Sequence, residues 1–552
     1  GLPKVRQAFA RTYFDELKHR VSGNRRLPTW EGELYFEYHR GTLTSMARNK
    51  RSNRKAELHM MDLERLSVLA AAQVAYPTEA IDRLWYGILI NQFHDILPGS
   101  SIREVYEVTK EEYAQMEAEI GTLCAERLTA LTPAGSGMTV YNTTGFGRND
   151  VVELGECDAA ALTDETGRVY PVQQTENGAV AFLADLPSKG RKTFAVAGKA
   201  EQASRFALSE DGHTLETPFY TVRFDEQGGI AGLFDKENRR EVLQAGKTAN
   251  LLRVFEDKPI YYDNWDIDIY YTEKFWDVTD LRSFTWTEQG PVRATLHIER
   301  EFSNSTISQD IHFYADIRRI DFVTTVDWHE HQHLLKVQFP VNVHTDEATF
   351  EVQYGNLTRK THTNTSWDKA RFESCGQKWA DLSEGHYGVS LLNDCKYGHS
   401  VKDSCISLTL IKSGIEPNPT TDQEVHHFTY ALYPHAETWR AAGTVREAFF
   451  LNQPALAVAG GEPGEAFSLA VCDAPNVVVE TIKQAEDGDG VIVRMYESEN
   501  ALTDTVLHWG RPVTEAVSCD CMEQPDGEPV SLEDGGIRFT IKPYEIKTLR
   551  IR

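Results

Sequence analysis

Hydrophobic and polar positions alternate in two different rhythms along this chain, and the change falls near residue 131. Between 45 and 130, apolar or small residues recur at three- and four-residue steps. The first set is Met60, Leu63, Ser67, Ala70 and Val74; the second is Ile81, Leu84, Trp85, Ile88 and Leu89; the third is Tyr106, Tyr113, Met116, Ile120 and Leu123. This spacing puts each set on one face of a helix with about 3.6 residues per turn. The first helix is expected to end at Tyr76, because Pro77 drives the residue before it out of helical geometry. Thr78 is placed to cap the second helix, which Pro98 and Gly99 stop. Ser101 and Glu104 form a capping box for the third. Three helices with short connections predict a bundle. On the second helix His94 projects opposite the apolar stripe, above Gly87 and Ile90, toward a neighbouring domain.

Beyond 131–137 the rhythm becomes that of strands. Short alternating runs at 138–141, 179–183 and 192–196 predict a sandwich, and a linker is expected near 199–205. Tyr220–Phe224 followed by the turn residues 225–229 reads as a hairpin, long strands follow between 292 and 343, and a last β segment includes 477–482 and 537–541. The fold class is therefore α+β and multidomain: a three-helix bundle followed by mainly antiparallel β-sandwich domains. The expected divisions are 1–44, the end of a preceding domain and a linker; 45–132, the bundle; 133–203, a small sandwich; 204–452, a large sandwich; and 453–552, a C-terminal β domain. The first follows from an amphipathic run at 5–17 and a loop at 22–28, an unusual way for a domain to begin.

Charge narrows the partners. With 57 basic and 83 acidic residues, net −26, the chain repels a polyanion, so nucleic acid is not expected as a partner. The basic run 48–55 is read as a solvated or interdomain face. No apolar run of about 18 residues occurs, so no membrane span is expected. Eight cysteines without paired ligand spacing point to reduced thiols and a cytoplasmic protein, and Cys519 and Cys521 are expected on one face of a strand. Whether the chain forms a homo-oligomer stays open.

Two places invite a metal. His329, His331 and His333 alternate, which on a strand would put three imidazoles on one face; His344 and Asp346 form a second short pair. The pair His94–Asp95 at the end of a helix is, on spacing alone, more often a solvated or hydrogen-bonded histidine.

The run NQFHDILPGSSI at 91–102 closely resembles the segment of glycoside hydrolase family 38 α-mannosidases in which the histidine is a zinc ligand and the next aspartate reaches the bound sugar. Segments 32–45, 255–271, 364–373, 378–385, 391–398, 433–435 and 486–490 resemble the same family. The resemblance covers essentially the whole chain and is strongest toward the cytosolic and vacuolar type and its bacterial relatives. It implies part of a zinc-dependent retaining enzyme that hydrolyses α-mannosidic bonds in mannose-containing oligosaccharides. His94 would be one Zn2+ ligand and Asp95 a substrate contact. The nucleophile, the acid/base carboxylate and the other zinc ligands would lie in an N-terminal α/β domain that this chain lacks, so the chain alone is expected to be inactive. A retaining glycosidase needs two carboxyl groups about 5 Å apart, and none is assigned here. In this family the histidine-rich stretch falls in the large sandwich, where the pattern carries no metal, which favours a structural reading. Tyr262, Trp265 and Asp266, with Asp263, are candidate sugar contacts, since such sites combine aromatic platforms with carboxylates. The competing reading of that loop is a buried anchor, and tryptophan more often serves as packing. The competing reading of the whole is a non-catalytic carbohydrate-binding or structural assembly of sandwiches.

Overall fold

A computed structural model describes residues 1–198, 203–533 and 535–552; the expected linker at 199–205 lies in part, at 199–202, outside the described residues. Residues 1–37 form one compact unit, with a single helix, α1 (Ala10–Val21), none of whose residues is buried. Residues 38–552 form the second unit. It opens with α2 (Ala47–Leu69), α3 (Thr78–Asn91) and α4 (Arg103–Leu131) and continues almost wholly in strands.

The apolar stripes meet as their spacing requires. Met60 and Leu63 of α2, Ile81, Leu84 and Ile88 of α3, and Tyr113, Met116 and Ile120 of α4 share one core. Leu89, expected on that face, is exposed instead, and Trp85 is only half-buried. The helix ends also differ from expectation. α2 stops at Leu69 rather than Tyr76, where the Arg511 guanidinium takes the Val68 and Leu69 carbonyls at 3.1 and 2.7 Å. Satisfying those orphan carbonyls from outside removes the need for another helical turn. Thr78 does not cap α3; it occupies the first helical position after Pro77. The capping box is absent too. Ile102 precedes α4 with no side-chain cap, and the Ser101 N–H donates to the buried Tyr106 hydroxyl at 3.0 Å.

α2 is buried on nearly every side, and its polar flank faces β structure. Arg48 pairs with Glu424 (2.9 Å) and Lys55 with Asp394 (3.2 Å). Arg54, buried, donates to Asn393 Oδ1 (3.0 Å), to the carbonyls of Gln377 and Lys396 (3.3 and 3.2 Å) and to the Tyr397 hydroxyl (3.1 Å). The basic run at 48–55 is thus an interdomain face.

Every pairing among the described strands is antiparallel. Strands between Gly137–Asn142 and Gly190–Ala197 form a sheet that also recruits Leu456–Ala459 and Ala466–Ser468. A nine-stranded and a six-stranded sheet follow, with Phe322, Trp328, Phe339 and Tyr430 inside their shared core. The predicted hairpin pairs Tyr220–Phe224 with Ile230–Asp235; Tyr220, Val222 and Phe224 point inward, as a period of two demands. Two four-stranded sheets close the chain over a core that includes Leu66, Val68 and Leu69 of α2.

One buried acid on this scaffold gives a pH test. Glu64 of α2 is pushed up to about 7, chiefly by burial, and lies 3.4 Å from the Trp85 indole nitrogen. A carboxyl raised above its unfolded range stabilises the fold fully below pH ~4.5 and loses that contribution as pH rises through about 7. Glu64→Gln keeps the indole's acceptor and carries no charge. It is expected to raise stability at pH 8 by roughly 1–3 kcal/mol and to leave it nearly unchanged at pH 4.5, read by denaturant melts at both.

Candidate functional site

The α3 exit is where polar groups concentrate. The helix ends at Asn91, and residues 93–99 close a string of turns: Leu97 N–H to Phe93 O (3.1 Å), Ile96 N–H to Phe93 O (2.9 Å), Gly99 N–H to Ile96 O (3.1 Å). His94 therefore sits on a turn past the helix, and the helical projection that set it opposite the stripe does not apply. Its side chain is nonetheless 77% exposed, with Nε2 3.3 Å from Asp95 Oδ2 and the ring 4.2 Å from that of Phe93. Nearby on the same helix and turn, Tyr86, Leu89, Ile90 and Phe93 are 48–67% exposed.

Behind the exposed imidazole the turn is pinned by buried groups. Ser100 Oγ donates to Asp95 Oδ1 (3.0 Å), and the Tyr106 hydroxyl reaches the carbonyls of Asp95 and Ile96 (3.2 and 3.1 Å). Lys50 of α2 donates to the carbonyls of Leu97 (2.9 Å) and Ser45 (2.5 Å). Gly99, at φ +89°, lies so close to Ser45 that a Cβ would come within 2.3 Å of its carbonyl oxygen, so no other residue fits there. Its own carbonyl accepts from the buried Asn264 amide (3.1 Å), which also donates to Thr421 Oγ1 (2.8 Å). The Ser45 hydroxyl donates to the Asn264 carbonyl (2.6 Å).

Asn264 joins this turn to the aromatic loop. There Asp263 is buried and accepts from the backbone N–H groups of Ile415 and Glu416 (2.9 and 2.8 Å), which makes it a loop anchor. Asp266 accepts from the His39 N–H, and the two side chains lie 3.5 Å apart. Trp265 is half-buried, edge-on to Tyr262 (5.6 Å, 76°), and its carbonyl accepts from Gly41 N–H (2.8 Å). Tyr262 is 62% exposed, with Tyr261 beside it exposed as well. Of the loop's candidates, Tyr262 presents its ring to solvent, Trp265 does so in part, and Asp266 is tied to His39.

The frame carries charges that burial shifts. Desolvation lowers Lys50 to about 7, and desolvation raises Asp422 to about 7 with help from the Glu424 carboxylate. The Asp422 carboxylate accepts from the N–H groups of Met46 and Ala47 (2.9 and 2.7 Å), which starts α2. Buried charges so placed stabilise little by themselves but leave few alternative arrangements open. Sequence reasoning missed Lys50, Asn264 and Asp422 and read Tyr106 only as part of an apolar stripe; nothing in the local pattern of the three polar residues separates them from surface ones.

The donor set for a metal is partial. His94 and Asp95 offer an imidazole and a carboxylate, and among the described residues no three His, Cys, Asp or Glu side chains converge as metal ligands. Zinc takes three or four protein ligands, so the pair fits as a contribution to a centre shared with other residues. The histidine-rich stretch is not a strand: one strand ends at Asp327 and the next begins at His333. His329 lies 3.0 Å from Asp327, His331 bonds Gln423, and the His333 ring packs on Trp276 and Phe302. His344 donates its N–H to Glu384 (2.7 Å), and Asp346 pairs with Lys360 (3.0 Å). Cys519 ends a strand and is buried, whereas Cys521 is exposed in the turn beyond.

The alpha mannosidase middle domain model matches residues 37–131, the glycosyl hydrolases family 38 C-terminal domain model 215–420, and the family 38 C-terminal beta sandwich domain model 476–549. The chain belongs to glycosyl hydrolase family 38, with the matches falling on its middle and C-terminal domains. It is 35% identical over 568 residues to Alpha-mannosidase 2C1 of Homo sapiens and 30% identical over 609 residues to Alpha-mannosidase G of Dictyostelium discoideum. Both comparisons take in all of this chain, against 53% and 55% of those proteins. The chain thus spans about half the length of the curated relatives it matches. The crystal structure of an alpha-mannosidase from Enterococcus faecalis V583 superposes with a TM-score of 0.78 at 17% identity, over 98% of this chain and 72% of that one, which establishes the shared fold.

Proposed function

We propose that this chain is the middle and C-terminal portion of a zinc-dependent retaining α-mannosidase acting on mannose-containing oligosaccharides. His94 supplies one zinc ligand and Asp95 contacts the sugar, while the other ligands and both catalytic carboxylates come from an N-terminal α/β domain outside this chain. The observation that carries this reading is the exposed imidazole of His94 on a turn pinned from behind by Lys50, Tyr106 and Asn264. A solvated histidine needs no such frame, whereas a metal ligand does. The exposed Tyr86, Leu89, Ile90 and Phe93 add an apolar surface of the kind a further domain covers. Bound zinc would hold sugar hydroxyls and help distort the ring. On this chain's side, Asp95 is oriented by Ser100, and Tyr262 with Trp265 offers an aromatic platform. The lack of any disulfide among the eight cysteines supports a cytoplasmic location, and no helix among the described residues is long and apolar enough to cross a membrane.

The test is the protein made with its upstream coding region and assayed on an aryl α-mannoside. Hydrolysis with retained anomeric configuration, abolished by a zinc chelator and restored by zinc, is expected. Sugar binding without turnover would favour the alternative, a non-catalytic carbohydrate-binding assembly.

A further inference from the structure

On the flank of α2 away from its apolar stripe, two cavities of about 470 and 250 Å³ share Glu57, Gln353, Gln377 and Tyr397 as walls. One runs beside Gln92, Leu97 and Pro98; the other ends at Trp85, Tyr354 and Tyr496. Neither His94 nor Asp95 lines them. The larger falls within the range of small-molecule pockets, roughly 300–1,000 Å³, the smaller just below it, and both have mixed polar and apolar walls.

The chemistry of those walls selects a ligand. Their cations are already engaged. Arg54 is taken up by carbonyls and the Tyr397 hydroxyl, Lys378 pairs with Glu351 (3.1 Å), and Lys50 holds two carbonyls. Glu57 accepts from the Gln92 amide (2.6 Å). Glu57 and the buried Glu480 are wall carboxylates without an ion pair among the described residues, and burial raises the pKa of both, so an anion would meet only cations that are already engaged. What remains is a pair of amides and a set of rings. The side chains of Gln353 and Gln377 make no hydrogen bond among the described residues, and each amide can both donate and accept. Trp85 and Tyr354 stand half-exposed at the far end. Tyr354 is held at φ +56° in the two-residue turn between Glu347–Val352 and Gly355–Lys360, a conformation that favours glycine. A bulky aromatic kept in that position, edge-on to Tyr496 (5.3 Å, 81°), puts a ring in the cavity wall that glycine would not. Uncharged donor–acceptor groups interleaved with aromatic faces match a molecule with many hydroxyls and apolar C–H faces.

We propose that this groove is a second carbohydrate site, which takes a short neutral oligosaccharide at a place separate from the His94 turn. Resting on the reading of the chain as part of a glycan hydrolase, it would hold a distal part of the substrate glycan by amide hydrogen bonds and ring stacking.

Calorimetric titration of the 552-residue chain with α-linked mannotriose tests this. The parent chain and His94→Ala are expected to bind alike. Tyr354→Gly is expected to weaken binding at least tenfold while melting no lower, since glycine suits the positive φ. Gln377→Ala, which keeps the backbone carbonyl used by Arg54, should weaken binding as well and covers the case in which the first variant folds poorly. Equal affinity in all four proteins, or no binding by the parent at millimolar sugar, would overturn the proposal. Loss of binding in His94→Ala with none in Tyr354→Gly would overturn it too, while supporting the assignment of His94. Failure of the mannosidase assay with groove binding intact would instead refute the hydrolase reading and leave the site standing.

Discussion

Zinc content and mannosidase turnover are both expected to collapse when His94 is replaced by alanine in the complete protein. The His94 side chain is exposed and makes no contact the fold depends on, so the variant should fold normally; exposed substitutions of this kind usually shift stability by no more than about 0.5 kcal/mol. Losing a direct ligand should weaken metal binding beyond the 10–100-fold typical of changes one shell further out, so a loss of at least ~100-fold is expected. Asp95→Asn keeps the Ser100 hydrogen bond within reach and should raise KM for the mannoside far more than it lowers zinc content. His331→Ala, which removes only a contact with Gln423 in a surface loop, should leave both unchanged. Zinc quantified by atomic absorption and kcat and KM measured on the three variants separate these roles. Loss of metal at His331 with none at His94 would refute the assignment.

The second large effect concerns stability. Arg54→Ala is expected to destabilise the chain by about 2 kcal/mol or more. It leaves the Lys396 carbonyl without its donor, takes one donor each from Asn393 Oδ1 and the Gln377 carbonyl, and opens a void beside the Tyr397 ring; a buried group left unsatisfied costs about 1–3 kcal/mol, and the void adds to that. Lysine should recover little, because one ammonium cannot span acceptors arranged around a planar guanidinium. Urea denaturation reads the difference. A loss under about 1 kcal/mol would mean that water replaces the guanidinium and that the α2 flank is wet.

The uses of Arg54 mark the limit of what the sequence discloses. The stripes through Met60, Leu63, Ile81, Leu84, Ile88, Tyr113, Met116 and Ile120 are legible because apolar burial imposes a period. The opposite flank of α2 carries Asn49, Lys50, Asn53, Arg54, Asp62 and Arg65, all buried, yet written in residues that ordinarily signal a surface. Burial by hydrogen bonding leaves no periodic trace, since the partners of Arg54 and Asp62 lie hundreds of residues away and those of Lys50 and Asn53 on other helices and turns. Helix ends failed for a similar reason. Arg511 stops α2 and Tyr106 takes the N–H that a capping box would have used, and both are decided by tertiary contacts. The alternation of His329, His331 and His333 was legible as a pattern but not as a strand, because the chain turns between two strands at that point. Leu89 shows the reverse case: it continues the stripe of α3 and is left exposed beside Ile90 and Phe93. At the candidate site, the chemistry of His94 came through family resemblance, whereas the Lys50, Asn264 and Tyr106 frame that pins its turn emerged only from the fold.

The central claim is that this chain brings one zinc ligand and a sugar contact, while the catalytic carboxylates lie upstream. Its most direct test is the turnover of an aryl α-mannoside by the purified 552-residue chain with zinc present, measured against buffer alone. The account predicts a folded protein whose rate does not rise above the uncatalysed one, with activity appearing only when the upstream domain is joined to it. Turnover by the chain alone that is sensitive to zinc chelation would contradict it.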